Sequence, residues 1–453
     1  VQYNQPIDQP GNPNAPYVDG NPQAGIQGSI VPAGSIEFDQ REVVEVITRA
    51  NVRGYSDFTG TPCAVPANAD LMQLRKAIEG FIGDINTFLI TTEVTFTVHG
   101  PGARFTDLNA AFAYLGKYKI TPTGHVILQL AGATTGSAIQ YVYYQPVIMS
   151  HPNNDRISIF GATMLGPVSR TDAGYAWNDN SSATRTADTA TNLALLRTKF
   201  ATELHFIGCN GMFIFGIAPM HLDGILFTGD TTSAQSGVIF NCSGYMNNRP
   251  RSMQPSSPYA YDGLAAVNFK NGGGGFAWDV GACMGIQGEG ADQSLVTPFI
   301  ACGCWAGILL TNGGFVTCNG NAVLLGNDTA GMYLWPRSGT QWDGGIFSNA
   351  NANQGIQGYL CSTGYIAAPM IGGGYTGSVS HCYKNGNYGL WLEETNVSAN
   401  IDFGAGANAN TTGAIFAGNN SGCQLWGSYA NYTPCSPTFN TVGNNNSLIA
   451  SGW

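Results

Sequence analysis

Charge is what this chain has least of. Charged residues make up 10% of its 453 positions, and Lys and Arg together number 18. Helices need charged outer faces, so so little charge excludes an architecture of many amphipathic helices. The formal net charge of −10 excludes the basic stripe on which a phosphate-tracking nucleic-acid binder depends. No run of about 18 apolar residues occurs, so no membrane insertion is expected. The first residues, Val1-Gln2-Tyr3-Asn4-Gln5-Pro6, carry neither the basic nor the apolar region of a secretory signal. With 6 histidines and one close cysteine pair, Cys302-x-Cys304, zinc spacing is missing, and no aspartate ladder suggests calcium. Neither a metal nor a cofactor is expected. Gly272-Gly273-Gly274-Gly275 lacks the Lys-Ser/Thr of a phosphate loop and reads as a turn.

What the chain does have is 43% hydrophobic residues, 11% aromatics and 61 glycines. That apolar content is enough for a large core and excludes a disordered chain. Gly, Asn, Thr and Ser in place of Lys and Glu suggest many short strands joined by tight turns. The 11 cysteines are odd in number, and all but Cys63 lie between Cys209 and Cys435. Two readings stand: small apolar core residues, or disulfides that include a link between subunits.

Residues 1–38 are rich in Pro, Gly, Gln and Asn without periodicity, and read as an extended arm that orders against a partner. Residues 39–90 read as helical. Asp39 is the expected N-cap of a first helix, with Glu42 at the capping-box position. In a second helix Leu71, Leu74, Ile78, Phe81, Ile85 and Phe88 follow heptad spacing. They form either a trimeric coiled-coil neck or the face of one amphipathic helix, and Gly80 and Gly83 weaken both. Over 91–165 the period changes to two, as in Val94, Phe96 and Val98, followed by a short helix with Thr106 as the expected N-cap and then three strands. Residues 166–200 are polar and read as a loop or insertion.

Over 201–435 a unit recurs: Gly or Ala, three or four residues of alternating apolarity, then Asn, Gly, Thr or Ser. Gly224-Ile-Leu-Phe-Thr-Gly229, Gly307-Ile-Leu-Leu-Thr-Asn312 and Ala322-Val-Leu-Leu-Gly-Asn327 are examples. Three such strands make one coil of about 20–28 residues, within the range of solenoid repeats. Each coil would hydrogen-bond to its neighbours about 4.8 Å above and below, with Asn and Gly at the bends. The expected fold is therefore mainly β, a right-handed parallel β-helix solenoid with a small helical N-terminal region. Residues 436–453 read as a C-terminal tail.

The stretch Ala103-Arg104-Phe105-Thr106-Asp107-Leu108-Asn109-Ala110-Ala111-Phe112-Ala113-Tyr114-Leu115 is followed by His125–Leu130 and His151–Gly161. In that order these elements resemble the opening coils of bacteriophage tail spikes and fibres of the pectate-lyase-like superfamily. The arm with Gln27-Gly28-Ser29-Ile30-Val31-Pro32 and the helix at Gln40-Arg41-Glu42-Val43-Val44 is similar to virion-anchoring segments of such proteins. The resemblance covers residues 1–165 in detail and the remainder only in repeat style. It implies a homotrimer, assembled in the host cytoplasm and fixed through residues 1–50 to other proteins of a phage tail or neck. The β-helix would point outward toward a host glycan or protein receptor.

Some spikes of this fold cleave polysaccharide, which needs two carboxylates about 5–9.5 Å apart. Asp343 and Glu393 fall two coils apart, about 9–10 Å, and Glu203 with Asp223, like Asp262 with Glu289, fits one coil. Acids scattered along a solenoid match such spacings by chance, so no enzymatic activity is expected. A depolymerase hydrolysing host polysaccharide is the alternative, and a bacterial surface adhesin the second. For glycan recognition Trp335, Trp342 and Trp391 are the candidates, beside turns or in the coils, against the reading that they fill the interior.

Overall fold

A computed structural model of the chain describes residues 22–24, 33–53, 62, 73–166, 182–229, 236–246, 264–267, 269, 275–281, 283–286, 299–311, 313–318, 322–342, 346–360, 362–366, 380–399, 401–403, 409–418, 421–425, 435–436 and 448–451. The chain divides into two compact units, 1–89 and 90–453.

In the first unit, helix α1 spans Ala33–Val52 and α2 spans Gln73–Thr87. The first begins directly after Pro32, six residues ahead of the expected cap, so Asp39 lies inside it. Proline cannot continue a helix backwards but is well tolerated before its first turn, which makes it the stronger start signal. The two helices pack through Ile47, Ala50 and Ala77, with Val46 and Phe81 at the margin.

The second unit is mainly β, and the strand pairings in its larger sheets are parallel throughout the described residues. A four-stranded sheet, with Glu93–Val98 and His221–Asp223 at its edges and His125–Leu130 and Ile157–Phe160 between them, opens the unit. Helix α3, Leu108–Leu115, buries Leu108, Ala111 and Leu115. Its N-cap is Asp107, not Thr106: Asp107 Oδ1 accepts from the Ala110 N–H at 2.8 Å. A carboxylate at this position answers both the open N–H groups and the helix dipole, which a hydroxyl answers less well.

From residue 299 the chain visits three sheets in turn. Phe299–Cys302 lies in sheet A, Ala306–Leu310 in sheet B and Phe315–Cys318 in sheet C. The next three strands, Ala322–Leu325, Ala330–Leu334 and Gly339–Trp342, pair with those three in the same order. Ile346–Asn349, Gln354–Tyr359 and Thr363–Ile366 repeat the step. Strands three elements apart therefore pair in register, and sheet A alone collects nine. The long strand Ser236–Met246 joins B to C, pairing its first half with Phe276–Val280 and its second with Cys283–Ile286. The stretch read as a C-terminal tail adds a further strand: Leu448–Ser451 pairs with Gly422–Leu425.

Strand alternation divides the side chains. In sheet B, Val147, Met212, Val238, Trp278, Ile308, Met332, and then Ile356, Leu390 and Ile415, stand on one column of the interior. These belong to one continuous core shared with Leu204, Ile225 and Leu324 of sheet A. Cys242, Cys304, Cys382 and Cys423 are buried in it as small apolar residues, and burial pushes the Cys242 thiol up to about 12.

At the bend after sheet A, four asparagines stack. Asn327 Nδ2 donates to Asn351 Oδ1, Asn351 to Asn385 and Asn385 to Asn410, each at 2.9 Å. Every Oδ1 also accepts a backbone N–H from the rung before, as Asn327 N does to Asn351. The steps along this ladder are 24, 34 and 25 residues, so one wider loop is accommodated without breaking the stack. Buried amides are expensive unless paired, and here each satisfies the next.

The stretch read as a polar loop holds a helix, α4, over Ser182–Lys199. Its buried positions are Thr189, Asn192 and Leu196, followed by Phe200 just beyond it. That is one helical face, concealed in the sequence because two of its members are polar. With Met164, this face covers the outer side of sheet A: Leu226, Ala265, Ile300 and Val323. Thr189 sits so close over Gly303 that a β-carbon there would lie 2.4 Å from Thr189 Cγ2. Gly303 also has φ +68, so both its backbone angle and its missing side chain serve the helix.

Candidate binding face

Sheet B presents an outer column with no helix of the described residues over it. Ile148, Phe213, Ile239, Asp279 and Leu309 follow one another in register up the sheet. Tyr333, Gln357, Trp391 and Phe416 continue the line. Each lies between two interior residues of its strand, as Leu309 does between Ile308 and Leu310, so alternation turns all nine outward. Ile148 is 48% exposed, and Trp391 and Phe416 are half-buried, their ring centroids 4.3 Å apart. Leu309 and Tyr333 are nearly covered by Phe276, Trp305 and Tyr359 beside them. The aromatics run on sideways: Trp305 to Tyr333 at 5.9 Å, Tyr333 to Trp335 at 5.2 Å and Trp335 to Tyr359 at 6.4 Å.

Asp279 is the one carboxylate of this column. Burial raises its pKa, and the hydroxyl of Thr311, 3.4 Å away, offsets only part of that. Burial likewise raises the Tyr333 phenol, and the nearby Tyr359 and Glu393 add to the shift.

The sequence candidates separate by strand and by side. Trp335 follows the strand Ala330–Leu334 and is 42% exposed beside the column. Trp391 is within the column. Trp342 is fully buried, opposite Cys318 and Ile366 in sheet C, so it presents no ring to a ligand. Asp343 lies outside the described residues, as do Asp262 and Glu289. Glu393 pairs in register with Tyr359 and is half-buried.

Glu203 and Asp223 are not brought together as a pair. Glu203 is in sheet A, opposite Leu226, whereas Asp223 is in the four-stranded sheet opposite Phe160. Each has its own partner. Arg197 of α4 grips Glu203 with two hydrogen bonds of 2.7 and 2.6 Å, and Gln140 and Thr228 donate to the same carboxylate. Burial pushes the Glu203 carboxyl up, but these hydrogen bonds and the guanidinium charge prevail and hold it below the usual carboxylate range. Asp223 Oδ2 is 2.6 Å from His221 Nε2, both buried. Engaged in this way, Glu203 holds α4 to sheet A. Among the described residues no three His, Cys, Asp or Glu side chains gather to hold a metal ion.

Of the heptad residues, Leu74 and Ile78 on α2 and Phe88 just after it are exposed, and Phe81 is half-buried against the packing with α1. Ile85 is within α2, and Leu71 lies outside the described residues. The small residue Ala77 faces α1, with Phe81 of the heptad set packed beside it.

The outer column of sheet B was not singled out in the sequence. Its signal is strands apolar at both parities, such as Met212-Phe213-Ile214-Phe215, where one set fills the core and the other is surplus to it. No protein-family model, curated protein or solved structure matches this chain.

Proposed function

We propose that this chain is a structural component of a bacteriophage virion: a homotrimeric fibre or spike of the tail or neck whose body is a right-handed parallel β-helix. The observation that carries the solenoid is the order of pairing. Strands three elements apart pair parallel and in register through sheets A, B and C, with the asparagine ladder marking the same corner of successive turns. Such a body grows by adding coils, is stabilised by nearest-neighbour rungs, and suits a long rigid element. The phage assignment rests on the likeness of residues 103–115, 125–130 and 151–161 to the opening coils of phage fibres. The trimer finds support in two apolar surfaces left open on one chain, the Leu74–Ile78 seam and the outer column of sheet B. Host attachment or particle architecture is the role, and residues 1–50 are the segment that other virion proteins would hold.

Sedimentation equilibrium of the full chain tests the assembly. Three times the chain mass of 47.7 kDa is expected, with and without reductant. A single chain at micromolar concentration would overturn the trimer. Incubation with polysaccharide from a host strain is expected to release no reducing sugar, since the described acids at a suitable spacing are engaged elsewhere. Release that is abolished by Glu393→Gln would make the protein a depolymerase.

A further inference from the structure

The outer column of sheet B is largely apolar and has no helix of the described residues over it, although Phe276, Trp305 and Tyr359 nearly cover Leu309 and Tyr333. Its nine rungs make eight steps of about 4.8 Å, about 38 Å in all, and strands of five or six residues give it a width of about 17–20 Å. In outline the strip is about 700 Å², of the order of the roughly 800 Å² that each partner buries in a standard protein interface, with Leu309 and Tyr333 adding little to it. The apolar patch on the outside of sheet A is closed by α4 of the same chain. Nothing among the described residues does this for sheet B.

We infer that the outer column of sheet B is the surface on which a second copy of this chain packs, each copy turning the same column to a shared axis. The inference rests on the trimer proposed above and names the face that makes it. The column's chemistry favours a protein face over a sugar chain. Five of its nine positions, Ile148, Phe213, Ile239, Leu309 and Phe416, carry no polar side-chain atom, whereas a glycan site needs hydrogen-bonding groups along its length. A protein interface, by contrast, has an apolar core with aromatics enriched and charge depleted. About an axis parallel to the stack each rung meets its own copy, so Trp391 and Phe416 meet aromatics of the same kind. Asp279 then meets Asp279. Like carboxylates brought together in an apolar contact oppose association, so this residue limits the stability of the assembly.

Dilution of the full-length protein, followed by sedimentation or native mass, tests the face with four variants. Gln357→Arg and Ile148→Lys place charge in the column without removing a core side chain. Each is expected to raise the concentration at which the assembly dissociates by about tenfold or more, with unchanged far-ultraviolet circular dichroism. Asp279→Asn is expected to lower it by a similar factor. Thr135→Lys, at an exposed position outside the column, should change nothing. If Gln357→Arg fails to fold, Ile148→Lys, at a 48%-exposed position, decides alone. A wild-type trimer that all three column variants leave unaltered overturns this face while the trimer stands, and Ile78→Asp then tests the helical seam instead. A monomeric wild type removes the trimer and this face together. Tryptophan quenching of the assembled protein by host polysaccharide, lost in Trp391→Ala, would show the column open to sugar and also overturn the inference.

Discussion

Sheets A and B share one interior but treat their outer faces in opposite ways. The outside of A carries aliphatic side chains, Leu226, Ala265, Ile300 and Val323, low enough for a helix to lie across them. The outside of B carries Phe213, Tyr333, Trp391 and Phe416, broad rings that partly cover one another along the column. Each face also holds a partly or fully buried carboxylate, Glu203 on A and Asp279 on B, and the two are held differently. Glu203 on A is gripped by Arg197 from α4, while Asp279 on B has the Thr311 hydroxyl. A face closed within the chain brings a counter-charge with its cover. A face left open keeps its charge lightly paired.

The sharpest way to break this contrast is to remove one ring from each face. Phe200→Ala, in the closed layer, is expected to cost about 3–5 kcal/mol of unfolding free energy. Phe213→Ala, in the open one, should cost about 1 kcal/mol in the single chain, because its ring already meets solvent. Equal losses in chemical denaturation would mean that the two faces are equally closed.

Next in size is the ion pair. Arg197→Met leaves buried Glu203 with only Gln140 and Thr228, and about 3 kcal/mol is expected, toward the low end of buried-pair losses because Arg197 is partly exposed. Since the folded-state pKa of Glu203 is depressed, the stabilisation is fully present above the ordinary glutamate range. It is lost as pH falls through the lowered value. Wild type and Arg197→Met should therefore differ at pH 7 and converge in strong acid; thermal melts across pH that keep a constant gap count against the pairing.

Breaking the corner common to both faces ranks third. Asn385→Ala deletes one ladder amide and leaves donors of Asn351 without their acceptor, for an expected 1–3 kcal/mol, that is, about the cost of stranding a buried polar group. Unfolding unaltered by this change would show the ladder to be incidental.

The smallest effect has the opposite pH dependence to that of Glu203. The folded-state pKa of Asp279 is raised, so its charged form disfavours the fold, and stability is lost as pH rises through its titration. Asp279→Asn should be neutral to slightly stabilising at pH 7, by about 1 kcal/mol or less given its partial exposure, with no advantage in acid. A clear loss at pH 7 would point to a stabilising partner for this carboxylate.

Much of the β architecture was legible because it is written locally. Units such as Ala322-Val-Leu-Leu-Gly-Asn327 show an apolar strand and the Asn that ends it, and the turn chemistry follows from those residues alone. Helix α4 was not legible, since Thr189 and Asn192 are buried on it and a hydrophobic period cannot register polar positions. The two helix starts shifted for local reasons of competing signals, Pro32 against Asp39 and Asp107 against Thr106. Trp342 and Trp391 are equally apolar in sequence, yet one is inside and the other outside.

From composition and repeat, the sequence alone determined that the body would be many short apolar strands bounded by Gly and Asn, with too little charge for a helical protein. Those properties depend on each residue and its immediate neighbours. The repeat also led to the expectation of parallel coils of three strands, but only tertiary structure decided which strand pairs with which and in what register, which parity faces the core, and that a polar stretch folds into the helix closing sheet A. The pairing is set by contacts between residues 20 or more positions apart, whose free energy no local window contains.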